Sequence, residues 1–405
     1  MHKKVLSVLL AASVSMTALT AGAKDGSSPS LKINGVLRAV AVGTTQKVRT
    51  DKGVQFNSYG NITFNAGGVA NNGLTYGALA VLQLDRSKPV GDKFTEAYVY
   101  LGSDAIGSFQ FGDTNGVSSL MMYDATDVMG GAGGFDGNLY RQLNLTRGIG
   151  LDQNIGHVNN GQNRATKLTW ISPEVSGWQV GASYTPNTFQ YGRSYNTDGL
   201  GSDGKPAAKQ THPYAVNHTE GGVSFTEDIG AYTVGVYLTG ALGKAKGPRA
   251  ANQGADLHSV KAWQFGTLVD YQSWQFGAGY FDNGKSYMRR DTKYTNTRGF
   301  NLGVSYGMGP VSLALGYTGT ERTVTDGKAK ADISSFTVDY SVADGLAVFG
   351  EVNYFTFRSP TAHQALAAGT SGRSFVSSVD YLDRQPSTNK DNSGAAFVLG
   401  TRINF

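Results

Sequence analysis

The sequence predicts an all-β fold: one transmembrane barrel of sixteen antiparallel strands, with short turns at one end and long loops at the other. Three observations carry this reading. Apolar residues recur at every second position along most of the chain, the spacing of strands with two unlike faces. The connections between these stretches alternate between short and long. Aromatic residues gather at strand ends, while small aliphatic residues fill the middle.

The first segment is a leader. "MHKKVLSVLLAASVSMTALTAGA" has Lys3 and Lys4, an apolar run from Val5, and the small residues Ala21, Gly22 and Ala23. That is the pattern of a secretory signal peptide over 1–23, with cleavage expected after Ala23. The run is too short to cross ~30 Å of hydrocarbon as a helix. Residues 24–405 are expected to form one domain, because no Pro-rich or low-complexity linker divides them. The formal charge of +5 falls by two when Lys3 and Lys4 leave, and the basic residues are spread along the chain. No nucleic-acid partner is expected from such a distribution. With no cysteine, an exported chain must hold together without disulfides.

Beyond the leader, nothing approaches ~20 consecutive apolar residues, so a spanning helix is not expected. The unit "FNLGVSYGMGPVSLALGYTG" shows the repeating pattern. Leu302, Val304 and Tyr306 share one face, Val311, Leu313, Leu315 and Tyr317 share its continuation, and Gly307–Pro310 turns the chain. Short turns are expected near 67–73, 102–107, 173–177, 227–231, 271–274, 307–310 and 342–345. Longer polar connections are expected near 43–54, 86–93, 113–163, 186–217, 242–259, 283–297, 320–331 and 359–393. These connect sixteen strands of about the ~9–11 residues that cross a bilayer when tilted. An even count lets the last strand pair with the first and leaves no sheet edge.

The two faces separate a membrane barrel from a soluble sandwich. Trp170, Trp178, Tyr232, Tyr271, Trp274, Tyr306 and Tyr340 lie beside short turns, and Tyr184, Trp263, Tyr280 and Tyr317 beside long loops. Two aromatic belts around an aliphatic band describe a lipid-facing surface. The opposite face is polar, as a water-filled interior requires. The stretch 346–358 leaves its orientation open, because Phe349, Phe355 and Phe357 share the face of Glu351. The chain closes with "AAFVLGTRINF", alternating to the final Phe405.

Taken in order, these segments resemble a general porin of the Gram-negative outer membrane over essentially the whole mature chain. "AYVYLGSDAIGSFQFGD" (97–113) resembles the hairpin before the family's long third loop, and "LTWISPEVSGWQVGASY" (168–184) the hairpin after it. The terminal phenylalanine resembles the signal read by the barrel-assembly machinery. The resemblance implies an outer-membrane homotrimer of 16-stranded barrels that passes ions and small hydrophilic solutes passively. It also implies a third loop, here 113–163, folded inward so that loop acids face wall bases. The candidate acids are Asp113, Asp124, Asp127 and Asp136; the wall candidates are Lys32, Arg38, Lys167 and Arg402. The tip "GGAGGFDGN" (130–138) departs from the family's acid-containing motif.

Enzyme and metal chemistry find little support. "GVSYG" (303–307) lies where a strand enters a tight turn, not a helix, so it is no nucleophile elbow. The histidines 157, 212, 218, 258 and 363 are all expected in loops, and the spacing of His212 and His218 matches no standard metal site. "GGAGG" lacks the strand–helix context of a nucleotide loop, and "DGLGSDGK" (198–205) reads as a surface loop. No enzyme activity, cofactor or metal is expected. A solute-selective channel and a loop-based adhesin or receptor are the alternatives.

Overall fold

The computed structural model describes residues 27–48, 54–84, 94–137, 143, 145–146, 164–188, 214–246, 256–288, 290, 296–324, 327–360, 387–388 and 391–405. The signal segment 1–23, the loop 189–213 and histidines 157, 212 and 363 lie outside them.

Sixteen strands close into one antiparallel barrel. They are β1 (Ser27–Gln46), β2 (Val54–Val69), β3 (Thr75–Gln83), β4 (Phe94–Ser103), β5 (Gly107–Asp113), β6 (Thr166–Ile171), β7 (Trp178–Asn187) and β8 (Tyr214–Ile229). The second half comprises β9 (Tyr232–Lys246), β10 (Val260–Tyr271), β11 (Trp274–Gly284), β12 (Thr297–Met308), β13 (Val311–Val324), β14 (Gly327–Ala343), β15 (Leu346–Arg358) and β16 (Asn392–Asn404). Each pairs with its neighbours in sequence, and β1 closes on β16 from Val36↔Asn404 to Gln46↔Gly394. Beyond that ladder, Gly35 N–H donates to Phe405 O at 2.8 Å and Phe405 N–H to Gly35 O at 3.0 Å. Phe405 is therefore stitched to β1.

All seven expected short turns are present. At the turn after β12, Gly309 takes φ 56°, which suits a residue without Cβ. Gln272 holds φ 54° in the equivalent turn after β10.

Burial is inverted relative to a soluble protein. Leu399 is 69% exposed on the outer wall, while Gln264, Thr337 and Asn353 are 0% exposed inside. Aromatic pairs bracket the outer wall. Tyr232–Tyr271 and Trp274–Tyr306 lie by the short turns, with ring centres 4.5 Å apart in both. Trp263–Tyr280 (5.4 Å) and Phe300–Tyr317 (5.5 Å) lie by the loops.

Two expectations are corrected, and one orientation that the sequence left open is decided. Residues 320–331 are not a long loop: β13 and β14 stay paired to Val324↔Gly327, leaving only 325–326 between them. Their outward side chains there include Glu321, Lys328 and Lys330, so a strand rising beyond the apolar band imitates a polar connection. β8 starts at Tyr214, which puts His218 on a strand, buried at 1% exposure. β15 takes one orientation, with Phe349, Glu351, Asn353, Phe355 and Phe357 inward. Phe355 and Phe357, both 0% exposed with rings 5.0 Å apart, pack in an apolar cluster with Val42, Ile333, Val398, Phe135 and Leu143. A hydrophobic core inside the lumen is what lets three phenylalanines share a face with a glutamate.

Candidate functional site

The inward core exists because another segment lies against it. After β5, residues 114–137 fold back into the barrel, forming the short helix α1 (Val117–Leu120) and a 3₁₀ turn at Gly134–Asp136. They run along the inner wall from β6 to β16, held by their own backbone. Lys167 Nζ donates to Thr114 O at 2.5 Å, and Glu220 Oε2 accepts from Ser118 N–H at 2.9 Å. Gln264 Nε2 donates to Ser118 O at 2.7 Å, and Asn301 Oδ1 accepts from Ala125 N–H at 3.2 Å. At the far end, Asp339 Oδ2 accepts from Gly131 N–H at 2.6 Å. Glu351 Oε2 accepts from Ala132 (2.8 Å) and Gly134 (3.1 Å). Bonds of this kind to ionised groups are worth ~1.5–3 kcal/mol each.

Glycine on the facing strands makes the close approach possible. A Cβ on Gly277 would stand 2.6 Å from Asp124 O, and one on Gly303 2.4 Å from Val128 Cγ2. One on Gly316 would meet Met129 Sδ at 2.4 Å and the Phe135 ring at 2.5 Å. The loop thus sits in a glycine-lined seat oblique to the strands. Strand alternation alone does not reveal that seat, since glycine also marks turns and bulges.

The sequence-derived candidates fall into three groups. Asp124, Asp127 and Asp136 lie on the loop, where the charge of Asp136 adds to what burial does to the proton affinity of the other two. Asp124 is buried, with Asn301 Nδ2 donating to its Oδ2 at 3.0 Å and Tyr237 Oη at 3.5 Å. Asp127 Oδ2 accepts from Asp124 N–H at 2.9 Å. Burial pushes the Asp124 carboxyl upward and brings that of Asp127 to about 7.

Arg38 and Arg402 meet on the other side of the barrel as ladder partners across β1 and β16. Arg402 Nη2 pairs with Asp339 Oδ1 at 3.1 Å, and its Nη1 donates to Gly131 O at 3.4 Å. Arg38 has no ion pair within 4 Å among the described residues and stands opposite Tyr59 on β2.

The remaining candidates lie elsewhere. Lys167 is buried at the loop's root among Glu220, Asp113, Glu96 and Arg164. Asp113 ends β5, where Thr166 Oγ1 donates to it at 2.6 Å. Lys32 is exposed, six residues from Arg38 toward the short-turn end, or ~20 Å along a strand. The acids that hold the loop, Glu220, Asp339 and Glu351, are not among the candidates read from the sequence. Nothing in their spacing marks them as acceptors for a loop backbone. Among the described residues no group of three or more His, Cys, Asp or Glu could hold a metal ion.

A closed sixteen-stranded barrel with a chain segment pinned inside it invites comparison with known proteins. The family model for Gram-negative porins matches residues 7–360. The chain belongs to the Gram-negative porin family. The porin resembles the anion-selective porin from Comamonas acidovorans at TM-score 0.58 and 14% identity, covering 93% of this chain and 100% of that one. It also resembles OmpT, an outer membrane protein of Vibrio cholerae in trimer form, at TM-score 0.55 and 13% identity, with 94% and 100% covered. At such identities these likenesses show the fold alone. An uncharacterized protein of Rickettsia conorii is 23% identical over 386 residues, spanning 82% of this chain and 81% of its own length. Family and fold are those of an outer-membrane porin channel.

Proposed function

We propose that the porin is a passive channel for ions and small hydrophilic solutes, without enzymatic activity, and that its lumen favours anions. One observation carries the ion preference: Arg38 faces the interior without a carboxylate partner among the described residues, beside Arg402. The loop acids offset it weakly, because Asp124 is turned into the wall and Asp127 titrates at about 7. The wall acids Asp339 and Glu351 are occupied by loop N–H groups. Cationic charge at a constriction with low-dielectric walls raises the local anion concentration.

The membership of OmpT in a trimeric assembly supports a homotrimer for this chain. The leader pattern supports export with cleavage after Ala23, and the stitched, alternating last strand supports recognition by the barrel-assembly machinery.

The test is single-channel recording in a planar bilayer under a potassium chloride gradient. The parent should give a reversal potential on the anion side, and Arg38→Gln should move it toward cations with a smaller change in conductance. A parent that conducts nothing would favour the adhesin or receptor reading. Saturation of current by one solute would favour a solute-selective channel.

A further inference from the structure

Where β1 meets β2, the inner wall gathers one arginine, two amides and a tyrosine beyond the described bonds of the loop. The bonds that seat 114–137 come from β6, β8, β10 and β12, then from β14, β15 and β16. β2 lies past them, on the far side of β1. Its inward residues follow from the ladder, in which Val40↔Asn57, Arg38↔Tyr59 and Val36↔Asn61 share one face. That face is the lumen, because Val40 belongs to the inner apolar cluster. Asn57, Tyr59 and Asn61 are all half-buried. Neither asparagine has a hydrogen-bond partner among the described residues. The Nε of Arg38 is buried and likewise has no partner there.

The spacing gives these groups a common ligand chemistry. Asn57 and Asn61 flank Tyr59 at two residues either way, ~6.8 Å along the strand, and Arg38 stands across the ladder from Tyr59. An unpaired guanidinium is a planar fork that matches a carboxylate. A primary amide sets donors and an acceptor in one plane, which suits neighbouring hydroxyls. A tyrosine ring offers an apolar face with a polar tip, which suits the C–H face of a sugar ring. A simple anion would engage Arg38 and leave both amides unused. A neutral sugar would engage the amides and leave Arg38 unanswered. A hydroxylated ring bearing one carboxylate uses all four side chains.

We propose that Arg38, Tyr59, Asn57 and Asn61 form a binding site for single-ring sugar acids passing through the lumen. This deepens the channel reading above and rests on it, adding a solute class to a preference for anions.

The test records current through the full-length porin in a planar bilayer in potassium chloride while glucuronate, acetate or glucose is added. In the parent, glucuronate should reduce the current saturably, at a concentration about tenfold below that needed for acetate or glucose, the worth of two hydrogen bonds. Asn57→Ala with Asn61→Ala should raise the glucuronate concentration to that of acetate, and Arg38→Gln should raise it to that of glucose. Asn61→Asp is the second variant: it keeps the side-chain size and adds a negative charge, so it should abolish the glucuronate effect while glucose acts as before. Current in potassium chloride alone shows that each barrel has folded. A parent that conducts but answers glucuronate and acetate equally would overturn this inference and leave the channel reading standing. So would amide variants that keep the parent's tenfold difference. If the parent carries no current, the channel reading fails, and calorimetric titration in detergent decides the site by the same ratio of glucuronate to acetate.

Discussion

Arg402 and Asp339 form an ion pair at 3.1 Å inside the barrel, and each also holds the same loop residue. Asp339 accepts from Gly131 N–H and Arg402 donates to Gly131 O. The pair therefore fixes the loop tip and cancels one of two adjacent arginine charges. Asp339→Asn should keep an acceptor for Gly131 but leave Arg402 uncompensated. The expected result is a reversal potential shifted further toward anions. A stability loss of ~1–3 kcal/mol should appear in denaturant unfolding, the cost of unsatisfying a charged partner.

The glycine seat makes a steric prediction. Gly303→Val would drive a side chain into Val128 and Ala125, and overpacking of this kind costs ~1–3 kcal/mol. The loop should be displaced toward the open lumen, lowering single-channel conductance. Gly307→Ala is the control, since the nearest atom to its added Cβ is Ser273 O at 3.9 Å. Equal conductance in the two variants would mean that the seat does not position the loop.

Asp127 makes the porin's lumen sensitive to pH. Its carboxyl titrates at about 7 in the folded protein against an ordinary 3.8, so the folded state keeps a proton that the unfolded chain has lost between those values. The resulting stability is fully present below pH ~4 and is lost as pH rises through ~7. The lumen becomes more negative over the upper part of that window. Anion preference should fall as pH rises through 7, and Asp127→Asn should flatten the profile. Recording reversal potentials from pH 5 to 9 checks both.

Asp124 should behave differently from its neighbour. Buried against Asn301 and Tyr237, it has little of its charge available to permeating ions. Asp124→Asn should leave the reversal potential within error of the parent, while Arg38→Gln moves it. A large shift for Asp124→Asn would mean that this carboxyl reaches the ion path.

Removal of Phe405 deletes two backbone hydrogen bonds to Gly35 and a half-exposed ring. Even full burial of such a ring is worth only ~1.5–3 kcal/mol, small against a closed barrel. The amount of assembled barrel in the outer membrane should fall well before the conductance of any assembled channel changes. Immunoblotting of membrane fractions against single-channel recording separates the two.

The architecture was legible because alternation is a local property. Each strand must turn one face to lipid, so Leu302, Val304 and Tyr306 announce their side without reference to any other strand. Short turns and aromatic belts follow from the same local demand, and the seven turns fall where the pattern puts them. Legibility failed where a strand left the bilayer. Around Glu321–Lys330 both faces meet water or rim, the alternation becomes polar, and a tight hairpin reads as a loop. It failed again at Phe349, Phe355 and Phe357, whose partner surface is Phe135 and Leu143, more than 200 residues away in sequence.

Periodicity and the spacing of turns suffice for a closed membrane barrel, its strand order and the loop that carries the acids. Which charges stand free in the lumen is a matter of three-dimensional neighbours. Asp124 lost its place there to Asn301 and Tyr237, Lys167 to the carbonyl of Thr114, and Arg402 to Asp339. Arg38 kept its own. A charge's availability depends on what lies within a few ångströms of it, and those neighbours come from strands that only the closed barrel brings together.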